Sequence, residues 1–393
     1  TPIKARTARV ELMGTTSIST LPRLIANDGS ATVDVNGMPV TVRFTEMTAD
    51  EVSVEAAKAG QPKLTRAILK GVSVIDARTA LTIDDVVVND VDGDVFSKVA
   101  MSGVKLLAPV TPGDTAKTEI AASHLELEVD PASLRKAASQ GAQTQGAQKW
   151  DKYESGTLRG FSAQDVTVRS AAAPAADMKL GLLSYRAKSD NQGFVNDIDF
   201  RVERLSGDVS KIPDMGTRQM LAMAGYEKVD VSFSLMARSD KDKQAIDLGP
   251  VRFSSKDDFE IVAGASLNGV VIPTSIGQAP DYTAAKLSQL KVTLTDHSAL
   301  GRAISKVSAM TGLSATDMRT AMKQNLVAIG SMYDLSSDSV LAITKFIETD
   351  GGELTLTVVP SEGVTLVDAV TASSGLDMLQ YFKPVFAYKP KTS

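Results

Sequence analysis

The sequence predicts a mainly β protein with some α: an elongated or curved antiparallel sheet, arranged as a sandwich or a groove, with a helical hairpin in the C-terminal third. Three observations lead there. Apolar and polar residues alternate in short runs from end to end, as strands with one buried and one wet face require. Turn signals punctuate those runs. Helical periodicity gathers in the second half, and the first third lacks the interleaved helices of a βαβ chain, which argues against doubly wound and TIM architectures.

The strands are read from Val33/Val35, Val40/Val42/Phe44, Leu125/Leu127/Val129, Val166/Val168, Ile198/Phe200/Val202, Val229/Val231/Phe233/Leu235, Leu290/Val292/Leu294 and Leu354/Leu356/Val358. Thr, Ser, Asp, Glu, Lys and Arg stand between these positions. Hairpin turns are expected at Asn36-Gly37, Asp92-Gly93, the polar run 239–243 and Asp350-Gly351-Gly352. A loose phrase also recurs, as Leu69-Lys70-Gly71-Val72, Met101-Ser102-Gly103-Val104, Leu158-Arg159-Gly160-Phe161 and Leu267-Asn268-Gly269-Val270. Its spacing is irregular, so no solenoid of fixed period is implied; each glycine is read as a bulge or a bend where the sheet turns.

Helices are expected near 214–224, 298–311, 314–329 and 337–348. Gly225 stops the first. Leu300, Ile304 and Val307 make one stripe, Gly312 breaks it, and Ser314 with Asp317 resembles a capping box ahead of Met318, Met322, Leu326 and Ile329. Asp130-Pro131 is a further start signal, followed by a Gln/Ala/Gly-rich stretch, 139–148, read as a linker. The organisation expected is therefore a β-rich region over 1–150 ending in that helix and linker, and a second over 151–393.

With 393 residues, 43% of them hydrophobic and 23% charged, the chain can bury a substantial core, and with 5% aromatics that core is aliphatic. A net charge of −5 spread along the chain leaves no footprint for nucleic acid. No apolar run approaches the 18 or more residues of a transmembrane helix. The chain has no cysteine, which removes disulfides, thiolate metal sites and thiol nucleophiles and suits an oxidising compartment. It begins at Thr1, as a chain freed of a signal peptide would.

Little of the chemistry expected of an enzyme can be found. The histidines, His124 at the head of a strand and His297 where a helix begins, stand apart and are read as surface or capping residues. The acidic segment Asp84-Asp85-Val86-Val87-Val88-Asn89-Asp90-Val91-Asp92-Gly93-Asp94 resembles a calcium loop counted from Asp90. It has Val95 where an EF-hand needs glycine and Met101 where it needs glutamate, so a solvated hairpin turn is the simpler reading. Walker, dinucleotide, nucleophile-elbow and zincin motifs are absent, and no cofactor is expected. Met215, Met220, Met223, Met310, Met318 and Met322 gather on the expected helices. They are read first as helix core and second as a pliable wall against acyl chains or a partner helix.

Two stretches carry a resemblance: Ala224-Gly225-Tyr226-Glu227-Lys228-Val229-Asp230-Val231, and Leu287-Ser288-Gln289-Leu290-Lys291-Val292-Thr293-Leu294-Thr295-Asp296-His297-Ser298-Ala299-Leu300 leading into the helical hairpin. With the closing Leu354-Thr355-Leu356-Thr357-Val358-Val359-Pro360, this arrangement over roughly 190–370 resembles uncharacterised β-repeat envelope proteins of Gram-negative bacteria, loosely similar to the AsmA-like group. The resemblance implies a long curved sheet with an apolar groove, linked to lipid movement, although the chain lacks the membrane anchor of that group.

The apolar strand faces outnumber the helices that could cover them about twofold, and an apolar face beyond several hundred Å² needs a cover. The expectation is a non-enzymatic protein of the periplasm or outer cell envelope that binds or transfers lipid, or another apolar ligand, through that face. Leu300, Ile304, Val307, Met318, Met322 and Leu326 are the candidate lipid-contacting residues. The alternative is a structural subunit that pairs with an envelope protein or with its own copies.

Overall fold

The computed structural model describes residues 7–11, 19–35, 38–75, 79–93, 95–109, 117–132, 158–170, 173–189, 195–212, 214–223, 225–272, 280–332, 334–349, 351–361, 364–371 and 381–391. The expected turn at Asn36-Gly37, the linker at 139–148 and the continuation of a helix beyond 131–132 lie outside these residues. Two compact units form, Thr1–Ala187 and Lys188–Ser393. The expected division near residue 150 is corrected by strand pairing. β8 pairs with β7 in one sheet, with Thr118↔Ser170 and Leu127↔Phe161 in register.

The first unit is an antiparallel sheet paired in sequence order: β1 (Thr7–Glu11), β2 (Thr20–Val35), β3 (Met38–Ser53), β4 (Lys63–Ile75), β5 (Ala80–Asp92), β6 (Lys98–Pro109), β7 (Lys117–Val129), β8 (Leu158–Ser170) and β9 (Ala173–Ser189). One short helix, α1 (Val54–Lys58), is capped by the Ser53 hydroxyl at the end of β3. His124 lies in the middle of β7 rather than at its head, because the strand begins seven residues earlier, at Lys117.

Most strands of this unit share a finer pattern than simple alternation. Ala67-x-Leu69-x-x-Val72-x-Val74 in β4, Val99-x-Met101-x-x-Val104-x-Leu106 in β6 and Phe161-x-Ala163-x-x-Val166-x-Val168 in β8 each skip one extra residue at mid-strand. In a regular strand that skip would send the second half of the apolar set to the other face. A left-handed residue absorbs it, and the pairing register passes through unchanged because the neighbouring strand skips at the same level. Gly71 and Gly103 sit at φ +55° and +61°, and Asp28 and Asp165 take the same left-handed conformation in β2 and β8. Neighbouring strands bond across these breaks: the Thr45 hydroxyl donates to the Lys70 carbonyl at 3.0 Å, and the Ser123 hydroxyl to the Gln164 carbonyl at 3.1 Å.

A left-handed residue within a strand turns the chain out of its extended course, and here the turns align from strand to strand. Ala26, Phe44, Val72, Ile83, Val104 and Ala122, which flank them, form one buried cluster. Val42, Leu81 and Val166 pack on it from one side of the bend, and Met47, Leu69, Val86, Met101 and Leu125 from the other. The sheet is therefore creased, with its apolar face inside the crease.

The second unit pairs β10 (Val195–Asp208), β11 (Lys228–Asp240), β12 (Ala245–Ser255), β13 (Phe259–Asn268), β14 (Lys286–Asp296), β15 (Gly352–Pro360) and β16 (Phe382–Pro390), again antiparallel and in order. Its helices are α2 (Met215–Met223), α3 (Ala299–Thr311), α4 (Ala315–Met332), α5 (Ser337–Glu348) and α6 (Leu366–Thr371). The first four coincide with the expected helices to within a few residues, since Gly225 and Gly312 both take positive φ at the helix ends. The hairpin turn expected at 350–352 is corrected: Gly351, at φ +97°, leads from α5 into β15, and Asp350 lies outside the described residues. Polarity alone cannot distinguish a strand–strand reversal from a helix–strand one.

A row of paired residues, Val202, Phe233, Phe253, Ile261, Leu294, Leu354 and Tyr388, crosses this sheet from β10 to β16. α5 closes its far end. The Phe346 ring meets Tyr388 edge-on at 6.5 Å, and the buried Ser339 hydroxyl accepts the Phe386 N–H at 3.1 Å. α4 packs outside α5, with Arg319 donating to the Ile347 carbonyl and Lys323 paired to Glu348.

Candidate functional site

Cross-strand register turns the apolar face of the first unit into continuous lines. Ala26, Met47, Leu69, Val86, Met101, Leu125, Ala163 and Leu183 are successive partners from β2 to β9. Beside them run Leu24, Ala49, Ala67, Val88, Val99, Leu127, Phe161 and Tyr185. Across the crease a third line joins Val42, Val74, Leu81, Leu106, Ile120, Val168 and Met178. At the usual strand spacing of about 4.8 Å, eight strands make a trough roughly 34 Å long.

The trough has a buried floor and a more open lip. Val104, Ala122 and Ala163 on the floor are buried, whereas Ile120 is 40% and Met178 50% exposed. Burial alone pushes the Tyr185 phenol above its ordinary pKa, which matches a ring held among Phe161 and its apolar neighbours.

The opposite face repeats the register in polar residues. Glu46, Lys70, Asp85, Ser102, His124 and Gln164 are successive partners there. Lys70 pairs with Glu46 at 2.9 Å, and that bond raises the pKa of the lysine. Partial burial works to raise the Glu126 pKa, but the contacts from Lys98 at 2.8 Å and His124 at 3.5 Å outweigh it and lower the value. Among the described residues no group of His, Asp or Glu is placed to hold a metal ion. In the acidic segment, Asp90 accepts from the Ser97 hydroxyl at 2.6 Å, and Gly93 turns at φ +67°; Asp94 lies outside the described residues.

The residues singled out on the helical hairpin are spread over several environments. Ile304 and Leu326 are buried and pack the helices, Leu300, Met318 and Met322 are half-buried, and Val307 is exposed. The reading of the methionines as helix core is corrected for α2 and the end of α3. Met215, Met220, Met223 and Met310 are 55–68% exposed, because no other layer covers those helix faces among the described residues.

One buried charge in the second unit holds α3 to the sheet. Asp258, in the β12–β13 turn, takes the Ser255 hydroxyl at 2.9 Å and the Arg302 guanidinium, while its carbonyl accepts the His297 N–H at 2.8 Å. Arg302 also lies 4.5 Å above the Tyr226 ring. Burial and the Asp258 carboxylate raise the Tyr226 pKa against the opposing effect of Arg302. Every polar group of Asp258 is thus committed to structure.

The trough was only partly legible beforehand. Alternation marked its strands, but the lines across them depend on the mid-strand skip, a signal present in the sequence as the Φ-x-Φ-x-x-Φ-x-Φ spacing. A family model described as an uncharacterized protein matches residues 211–381, a stretch that begins just before α2 and ends just before β16. No curated protein matches the chain, and neither does a solved structure.

Proposed function

We propose that the chain is a non-enzymatic protein of the cell envelope that holds a lipid in the creased apolar face of its first unit. The observation that carries this reading is the set of apolar lines running unbroken from β2 to β9, beneath which α1 is the only complete helix among the described residues of that unit. An aliphatic trough lined by Leu, Val, Met and Ala offers dispersion and desolvation without hydrogen-bond selection, which suits hydrocarbon chains. The lack of cysteine supports an extracytoplasmic site of action.

The alternative role as an assembly subunit gains nothing from the β16 edge. Ser339 already occupies the Phe386 N–H that an added strand would need.

Solvent extraction of the purified chain followed by mass spectrometry tests the proposal. Lipid is expected in the wild type and lost from Ile120→Asn and Met178→Gln, whose exposed positions leave the melting temperature unchanged. Met318→Gln and Met322→Gln should retain it. A wild type free of lipid overturns the reading, and loss confined to the two helix variants moves the site to the hairpin.

A further inference from the structure

The turn that creases the first unit occurs in two rows. In the row described above, a left-handed residue of an even-numbered strand has an apolar residue two places before it and another directly after: Leu69 and Val72 about Gly71, Met101 and Val104 about Gly103, Ala163 and Val166 about Asp165. Odd-numbered strands carry the same spacing nearer their C-terminal ends. Glu51, at φ +55°, stands between Ala49 and Val52, and Asp90, at φ +53°, between Val88 and Val91. The cross-strand bond is repeated too. The Thr65 hydroxyl donates to the Asp50 carbonyl at 3.3 Å and the Ser97 hydroxyl to the Asn89 carbonyl at 3.4 Å, each just ahead of the left-handed residue.

Even and odd strands run in opposite directions, and a two-fold axis normal to an antiparallel sheet exchanges them without exchanging its faces. The same local turn, with apolar residues at the same places around it, therefore bends the sheet toward its apolar face in both rows. Leu21 with Val52, and Leu64 with Val91, are paired beyond the second row and stand as an opposite wall over β2 to β5. The rows lie six residues apart, from Thr45 to Glu51, Thr65 to Gly71 and Asp84 to Asp90, so the floor between them is about 20 Å wide. Its lines, from Leu24 and Ala26 to Val88 and Val86, contain no charged residue.

We infer that the trough holds several acyl chains side by side, about three or four abreast between its two walls. This class of guest rests on the lipid-holding reading of the trough and narrows it to an amphiphile with three or more acyl chains, or a pair of diacyl lipids, which offer the floor the same hydrocarbon. Carbon atoms of neighbouring chains make their best contact at about 4 Å, and the side chains of both walls take up part of the width. A single chain would leave most of the floor in water.

The test is the acyl-chain content of the purified full chain. Fatty acids released by methanolysis are counted per protein, and the intact extracted lipids are identified by mass spectrometry. Three or more acyl chains per protein are expected; one head group per protein marks a multi-acyl amphiphile, and two mark a pair of diacyl lipids. Leu64→Gln should lower the count by at least one chain, and Val91→Thr, which keeps the shape of its side chain, serves if Leu64→Gln fails to fold. One or two chains per protein in the wild type overturns the inference and leaves the lipid-holding reading standing, whereas no lipid at all overturns both. Folded wall variants that keep the wild-type count remove the second wall from the site and overturn the inference as well.

Discussion

Replacing Gly103 with alanine separates the two demands that the crease places on its left-handed residues. Gly103 sits at φ +61°, a conformation that costs an L-residue about 1–2 kcal/mol. An added Cβ would also collide with the Asp84 carboxylate and lie 2.9 Å from its Cβ, so Asp84 must leave its rotamer at a further cost of about 0.5–1.5 kcal/mol. Gly103→Ala should therefore destabilise the first unit by roughly 2–3 kcal/mol. Gly93 provides the control: it has a similar φ of +67° with nothing within 4 Å of its notional Cβ, so Gly93→Ala carries backbone strain alone. Asp84→Ala in the Gly103→Ala background removes the carboxylate but leaves the Asp84 Cβ at 2.9 Å, so it should recover part of the cost without reaching that of the control. Urea denaturation of the four proteins, extrapolated linearly, measures each difference. If Gly103→Ala costs no more than Gly93→Ala, the close packing of β5 against Gly103 of β6 is wrong, and with it the idea that aligned left-handed residues crease the sheet.

Other perturbations read other parts of the molecule. Arg302→Ala leaves the buried Asp258 carboxylate without its charged partner, held by the Ser255 hydroxyl at 2.9 Å and the Ser298 hydroxyl at 3.5 Å, and should cost about 2–4 kcal/mol by thermal or chemical unfolding. Ser339→Ala strands the Phe386 N–H and should cost about 1–3 kcal/mol, with faster hydrogen exchange at Phe386. Glu126 has a folded pKa below its unfolded one, so its contribution is present above the unfolded value and lost as the pH falls through the folded value. Glu126→Gln should consequently flatten that part of the acid limb of a melting-temperature profile, and an unchanged limb would count against the Lys98–Glu126 contact.

The parts of the fold that were legible in the sequence were those set by local chemistry. Val229/Val231/Phe233/Leu235 alternate with Asp230, Ser232 and Ser234 along β11, as strand periodicity requires, and Gly312 ended α3 because a left-handed residue was needed there. The reading of each glycine as a bulge or a bend divides: Gly71 and Gly103 take positive φ with no shift of register, whereas the Leu158-Arg159-Gly160 phrase carries a shift, Glu128↔Gly160 being followed by Val129↔Leu158, with no positive φ. Two features required information that lies outside any short window. The trough depends on eight strands keeping a common register, so no single strand announces it. The exposure of Met220 and Met223 depends on which side of α2 faces the protein, and the helix pattern alone favours putting methionines inside. Arg218 settles the matter because its guanidinium reaches inward to a backbone carbonyl.

The mid-strand skip makes the first unit extensible. A hairpin that carries the same spacing, with a left-handed residue in one strand and a short hydroxyl residue in the other, can be inserted without turning any greasy side chain toward water. Each such insertion would lengthen the trough by about 10 Å, two strand spacings, and leave its cross-section as it was. The length of the apolar face is therefore written as a number of repeats, and can change by duplication or loss while the chemistry of the wall stays constant.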